Sequence, residues 1–130
     1  MAALCILQGG TMKLIIAEKP SVALFIAKVV GASSRKDGYI QGNGYMVSWC
    51  VGHLIQMASP DKYDEKYAKW NLDDLPILPK DFKYEVSKNT KKQYGVLKKL
   101  LHLKEVDTVI NACDAGREGE LIFRLVYEEA

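Results

Sequence analysis

The sequence predicts an α/β fold: a central, mainly parallel sheet flanked by helices, with an inserted β-hairpin and a long loop. Two observations carry this. A short apolar run, an acid and a helical pattern occur in that order at residues 12–30, and the same grammar returns at 108–129. Continuous apolar runs bounded by turn signals suit strands buried on both faces, as in parallel sheets covered by helices. Between the two units, Asn43-Gly44 supplies a two-residue hairpin signal.

In order along the chain, residues 1–11 (Met-Ala-Ala-Leu-Cys-Ile-Leu-Gln-Gly-Gly-Thr) precede a second methionine. The stretch is too short to span a membrane, and no basic residue precedes it to make a signal peptide. It reads as an upstream start or an expression remnant, which leaves 12–130 as one domain. Met12-Lys13-Leu14-Ile15-Ile16-Ala17 is the first strand, ending at Glu18-Lys19-Pro20-Ser21. Pro20 suits the first helical turn, residues 22–30 are apolar nearly all round, and Gly31 stops the helix. Residues 39–51 form the hairpin, with Tyr45, Val47, Trp49 and Val51 alternating against Met46, Ser48 and Cys50. From 52 to 79 the pattern breaks at Pro60, Pro76 and Pro79, which predicts a long surface excursion. Residues 90–104 return to helical period: Tyr94, Leu97, Leu100 and Leu101 face inward, and Lys88, Lys91, Lys92 and Lys99 lie mainly on another side. That lysine face suits either solvent or a phosphate track. Thr90-Lys91-Lys92-Gln93 resembles a capping box. His102 reads as a C-terminal cap or edge residue. The last helix starts near Glu118, with Leu121, Ile122, Leu125 and Val126 as its buried face. It reaches the chain end without a stop signal, the expectation for part of a longer polypeptide.

Composition is that of an ordinary globular domain: 48% apolar and 26% charged residues, with a net charge of +2 too small by itself to argue for nucleic acid. Cys5, Cys50 and Cys113 have no metal-ligand spacing. Cys50 and Cys113 read as reduced core residues, which fits a cytoplasmic protein.

The densest chemistry is Asp114-Ala115-Gly116-Arg117-Glu118-Gly119-Glu120, where the second strand gives way to a helix. Three carboxylates crowded at a strand end repel one another, and a hard cation such as Mg²⁺ would relieve this. The glycines let backbone approach a ligand, and the helix N-terminus favours phosphate oxygens. An exposed charged turn capping the helix has the same composition. Glu18 is a second strand-end acid. Ligands gather outside the carboxyl ends of strands in open α/β sheets, so Glu18 and Asp114 are candidates to meet in one site.

In this order, Ile16-Ala17-Glu18-Lys19-Pro20-Ser21, Cys50-Val51-Gly52-His53-Leu54 and Ala112-Cys113-Asp114-Ala115-Gly116-Arg117-Glu118-Gly119-Glu120 resemble the Toprim domain of type IA DNA topoisomerases, most similar to the bacterial topoisomerase III branch. The resemblance covers residue 12 to the end and implies a Rossmann-like Toprim fold. It implies an isomerase that cleaves one DNA strand through a tyrosine, passes another strand, and reseals the break with Mg²⁺ bound near the scissile phosphate. By the same resemblance, Glu18 sits near the leaving 3′-oxygen and exchanges its proton. Lys19 stabilises phosphate charge. Glu18, Asp114 and Glu118 bind the metal, with Glu120 behind them. The resemblance makes His53 a neighbour of the phosphate site; Arg117 is either another such neighbour or an ion-pair partner of Glu118 or Glu120. The implied partners are single-stranded DNA segments and the rest of the same polypeptide; the implied location is the cytoplasm, on the nucleoid.

Two departures matter. The family pattern Asp-x-Asp-x-Glu has Gly116 in place of its second Asp, so that ligand is not carried over. None of Tyr39, Tyr45, Tyr63, Tyr67, Tyr84, Tyr94 and Tyr127 stands in the family's Tyr-x-Arg-Thr context, so the nucleophile is expected outside this chain and the isolated fragment is expected to be inactive. Competing readings are a Toprim nuclease or primase, which lacks the Glu-Lys-Pro-Ser and Gly-His-Leu segments, and a non-catalytic phosphate-binding regulatory module.

Overall fold

A computed structural model describes residues 11–130; residues 1–10, with Cys5, lie outside the described residues. Ten regular elements follow in order: β1 (Met12–Ala17), α1 (Pro20–Val30), β2 (Ser34–Lys36), β3 (Tyr39–Gly42), β4 (Tyr45–Trp49), β5 (Ile55–Met57), β6 (Tyr84–Val86), α2 (Lys91–Leu101), β7 (Val106–Ala112) and α3 (Arg117–Glu129). The main sheet runs β2-β3-β4-β1-β7. Its centre is parallel, with β1 pairing β4 on one side and β7 on the other, and β3 and β2 extend it antiparallel. The two strand–acid–helix units are direct neighbours, Leu14 standing opposite Val109.

Because β1 is covered on both faces, alternate residues feed two cores. Leu14 and Ile16 pack with Met46, Leu97, Leu100, Ile122, Phe123 and Val126 under α2 and α3. Ile15 and Ala17 pack with Ala23, Ala27, Ile40 and Val47 under α1. The hairpin turn at Asn43-Gly44 holds both residues at positive φ, 50° and 79°, the backbone twist that joins two strands tightly.

The structure corrects several local expectations. The excursion is ordered locally: β5 and β6 pair antiparallel as a second sheet, and three 3₁₀ turns lie between them. No capping box forms at α2. The Thr90 side chain makes no cap bond and donates instead to the Ser87 carbonyl. Gln93 turns inward, its Nε2 within 2.8 Å of the Trp49 carbonyl, 3.1 Å of the Gly38 carbonyl and 3.2 Å of Ser48 Oγ. Buried acceptors at the end of β4 outbid a solvent-exposed cap. In α3, Leu121 is 46% exposed and Phe123, at 6%, takes its place in the core. His102 does close α2, and its Nε2 also bonds the Ala130 carbonyl at 2.8 Å. Among the described residues, no helix is long and apolar enough to cross a membrane.

Candidate acid site at the strand ends

Ala17 ends β1 opposite Trp49 of β4 and Ala112 of β7, so the next residue of each strand emerges at one edge of the sheet. Those residues are Glu18, Cys50 and Cys113. Glu18 is half-buried, and its Oε2 accepts a hydrogen bond from the Asp114 backbone N–H at 3.1 Å. The Glu18 carboxylate therefore meets the Asp114 backbone across 96 residues of chain. Lys19 follows in extended conformation as the first cap residue of α1, with an exposed side chain.

Asp114 opens a tight turn: the Gly116 N–H donates to the Asp114 carbonyl at 2.8 Å, and α3 starts at Arg117. The turn is tight enough to dictate Gly119. A Cβ there would lie 2.1 Å from the Asp114 carbonyl oxygen and 2.8 Å from its nitrogen. Gly119 thus serves the chain's own backbone, seating the first turn of α3 against Asp114. Gly116 is different. Its φ of −160° is ordinary extended backbone, and a Cβ there would meet nothing within 4 Å. Glu118 and Glu120 in the first turn suit the positive end of the helix dipole.

His53 reaches the site from the other side. Gly52 adopts φ 67° to turn the chain out of β4, and buried Leu54 anchors the far end of the turn. His53 Nε2 contacts the Glu118 carboxylate. An ionised carboxylate only accepts, so Nε2 carries the proton in this pair. Both side chains stay open to solvent, at 39% and 71% exposure.

Glu120 lies in a separate network. Arg124 donates to its Oε1 from Nε and Nη2 at 3.1 and 2.7 Å, and Asn111 Nδ2 donates to its Oε2 at 3.0 Å. The i,i+4 spacing of Glu120 and Arg124 was a visible signal for this pair; Asn111 carried none. Arg117 joins no ion pair among the described residues, so the scaffold role with Glu118 or Glu120 falls to His53 and Arg124 instead. Cys50 is buried, Cys113 is partly buried, and both are free thiols. A hydrogen bond to Cys113, then burial, raise the Cys50 thiol; the same bond lowers Cys113.

No three His, Cys, Asp or Glu side chains among the described residues converge as a preformed metal cage. Glu18, Asp114 and Glu118 nonetheless offer an all-oxygen donor set. Such a set fits Mg²⁺, which takes one or two carboxylates and completes its shell with water and phosphate oxygens.

The chain is similar to several known proteins. It is 49% identical over 115 residues to a protein named DNA topoisomerase 3 from Bacillus thuringiensis (strain Al Hakam), covering 88% of this chain and 16% of that protein. Proteins of the same name from Shouchella clausii (strain KSM-K16) and Staphylococcus epidermidis (strain ATCC 12228 / FDA PCI 1200) are each 46% identical, over 91% and 89% of this chain and again 16% of their own lengths. The chain thus spans about one sixth of the relatives it matches. The family model described as "Toprim domain" matches residues 13–130, and this chain belongs to the Toprim family.

Proposed function

We propose that this chain is the Mg²⁺-binding, catalytic Toprim portion of a type IA DNA topoisomerase, in which residues 12–130 form the domain and a tyrosine elsewhere in the polypeptide attacks the DNA. The observation that carries the reading is the meeting of Glu18 and Asp114 at the ends of adjacent parallel strands, in a chain nearly half identical to proteins named DNA topoisomerase 3. The scissile phosphate sits over the ends of β1 and β7. Lys19 places a point charge on a phosphate oxygen, and Arg117, free of ion pairs among the described residues, is available for a second. Glu18 gives its proton to the departing 3′-oxygen and takes it back on resealing. His53 holds Glu118 in place through Nε2. Asp114 and Glu118 would hold Mg²⁺, joined by Glu18 when its carboxylate is ionised after giving up the proton, and the ion would supply charge neutralisation at the phosphate. The substrate is a single-stranded DNA segment, and the enzyme works in the cytoplasm on nucleoid DNA.

The test is Glu18→Gln in the complete enzyme, assayed by relaxation of negatively supercoiled DNA. Glutamine keeps the shape and loses the proton, so relaxation should fall roughly 10²–10⁴-fold with DNA binding retained. Relaxation near the unmodified rate would remove Glu18 from the chemistry.

A further inference from the structure

We infer that the exposed face of α2 is a second nucleic-acid contact, a seat for a DNA phosphate backbone leading away from the acid site; this deepens the proposed function and rests on it. At 100° per residue, Lys91, Lys92, Gly95, Lys98 and Lys99 fall within about 120° of the helix circumference, and all five are exposed. Exposed Lys88 precedes the helix by one turn. Lys36 joins them. It stands opposite Tyr39 in the antiparallel β2–β3 pair, so both side chains point to the same side of the sheet, and Tyr39 packs against the core that α2 covers. Asp37 bridges the two groups through Lys92 at 3.0 Å.

Two features of this face go beyond what the fold accounts for, since among the described residues Asp37 pairs with Lys92 and with none of the other lysines of the face. The first turn of α2 holds no acid, and Lys91 and Lys92 stand there instead. Positive charge at the positive end of a helix dipole is unfavourable, and a bound anion would reverse that. Gly95 sits mid-helix among the lysines, where glycine weakens a helix. A Cβ there would meet nothing within 4 Å, so packing does not demand it. An exposed glycine ringed by lysines is a place where another backbone can lie close against the helix.

The position also fits. Gln93 bonds the Trp49 carbonyl at the end of β4, and the Ser87 N–H bonds the Leu54 carbonyl next to His53. The N-terminus of α2 therefore lies at the same end of the sheet as Glu18 and Asp114. A strand leaving the acid site past β4 would meet Lys88, Lys91 and Lys92 first, then Gly95, Lys98 and Lys99.

The experiment uses the 130-residue chain and fluorescent single-stranded and duplex oligonucleotides, with binding followed by anisotropy from low salt upward. Poly-L-glutamate is the polyanion control. For single strands the slope of log K against log salt changes by about 0.7 per phosphate contact. Replacing Lys91, Lys92, Lys98 and Lys99 together with glutamine should flatten the slope by about 2–3 without altering the circular dichroism spectrum. Gly95→Glu should weaken DNA binding while raising the unfolding temperature, a combination that damage to the fold cannot produce. Stronger binding of the duplex than of the single strand would identify the duplex flank as the occupant and still support the seat. An unchanged slope in the fourfold variant, or binding of poly-L-glutamate as tight as DNA, would overturn it. The two proposals fail separately: a full lysine-dependent slope beside an unaffected Glu18→Gln enzyme sinks only the cleavage chemistry, and the converse sinks only this seat.

Discussion

Gly119→Ala tests whether the site is held by backbone packing. The new methyl group would stand 2.1 Å from the Asp114 carbonyl oxygen and 2.9 Å from its carbonyl carbon, so α3 or the Asp114 turn must move by more than about 1 Å to reach ordinary contact. Neither side yields cheaply, because the clash is with backbone, Gly119 is buried, and Ile122 and Phe123 of the next turn are locked in the core. Overpacking of this kind costs about 1–3 kcal/mol, set against the ~1 kcal/mol that alanine normally adds to a helix interior. A net loss of up to about 2 kcal/mol should lower the melting temperature by up to several degrees for a domain of this size. Gly95→Ala is the internal control: there the same change meets open space and should stabilise by about 1 kcal/mol. The displaced Asp114 also donates the hydrogen bond to Glu18, so Mg²⁺ affinity measured by calorimetry should fall along with stability. Urea unfolding of both variants gives the comparison. If Gly119→Ala proved as stabilising as Gly95→Ala, with unchanged Mg²⁺ binding, the seating of α3 on Asp114 would be refuted.

Gly116→Asp should tighten Mg²⁺ binding, since it restores a carboxylate at a position with ordinary extended backbone and free space around it; an unchanged or weaker affinity in calorimetry would mean that the position does not face the metal. Cys113 should be alkylated by iodoacetamide well before Cys50, because Cys50 is buried and its thiol is raised while the bond from Cys50 lowers that of Cys113. Peptide mapping by mass spectrometry reads the order, and faster labelling of Cys50 would contradict the geometry.

What the sequence made legible was whatever depended on neighbours along the chain. β1 and β7 announced themselves as apolar runs, Pro20 and Gly31 bounded α1, and Asn43-Gly44 marked the hairpin, because each signal is local and physical. The meeting of Glu18 and Asp114 followed from one topological rule about parallel strands. The missed elements lacked any local pattern. β2 is Ser34-Arg35-Lys36, an exposed edge with no apolar alternation, and it exists because β3 offers it a partner. β5 and β6 are three residues each and find one another across the whole excursion. The misread residues were those whose local chemistry suited two uses. Gln93 fits a capping box, yet its amide is worth more against the carbonyls of Gly38 and Trp49. Gly119 fits a ligand-approach glycine, yet it is needed by Asp114. Gly95 carries no such double signal in the sequence. The fold leaves it facing open space among exposed lysines, so packing among the described residues does not demand a glycine there, and the proposed phosphate seat rests on that observation together with the lysines around it.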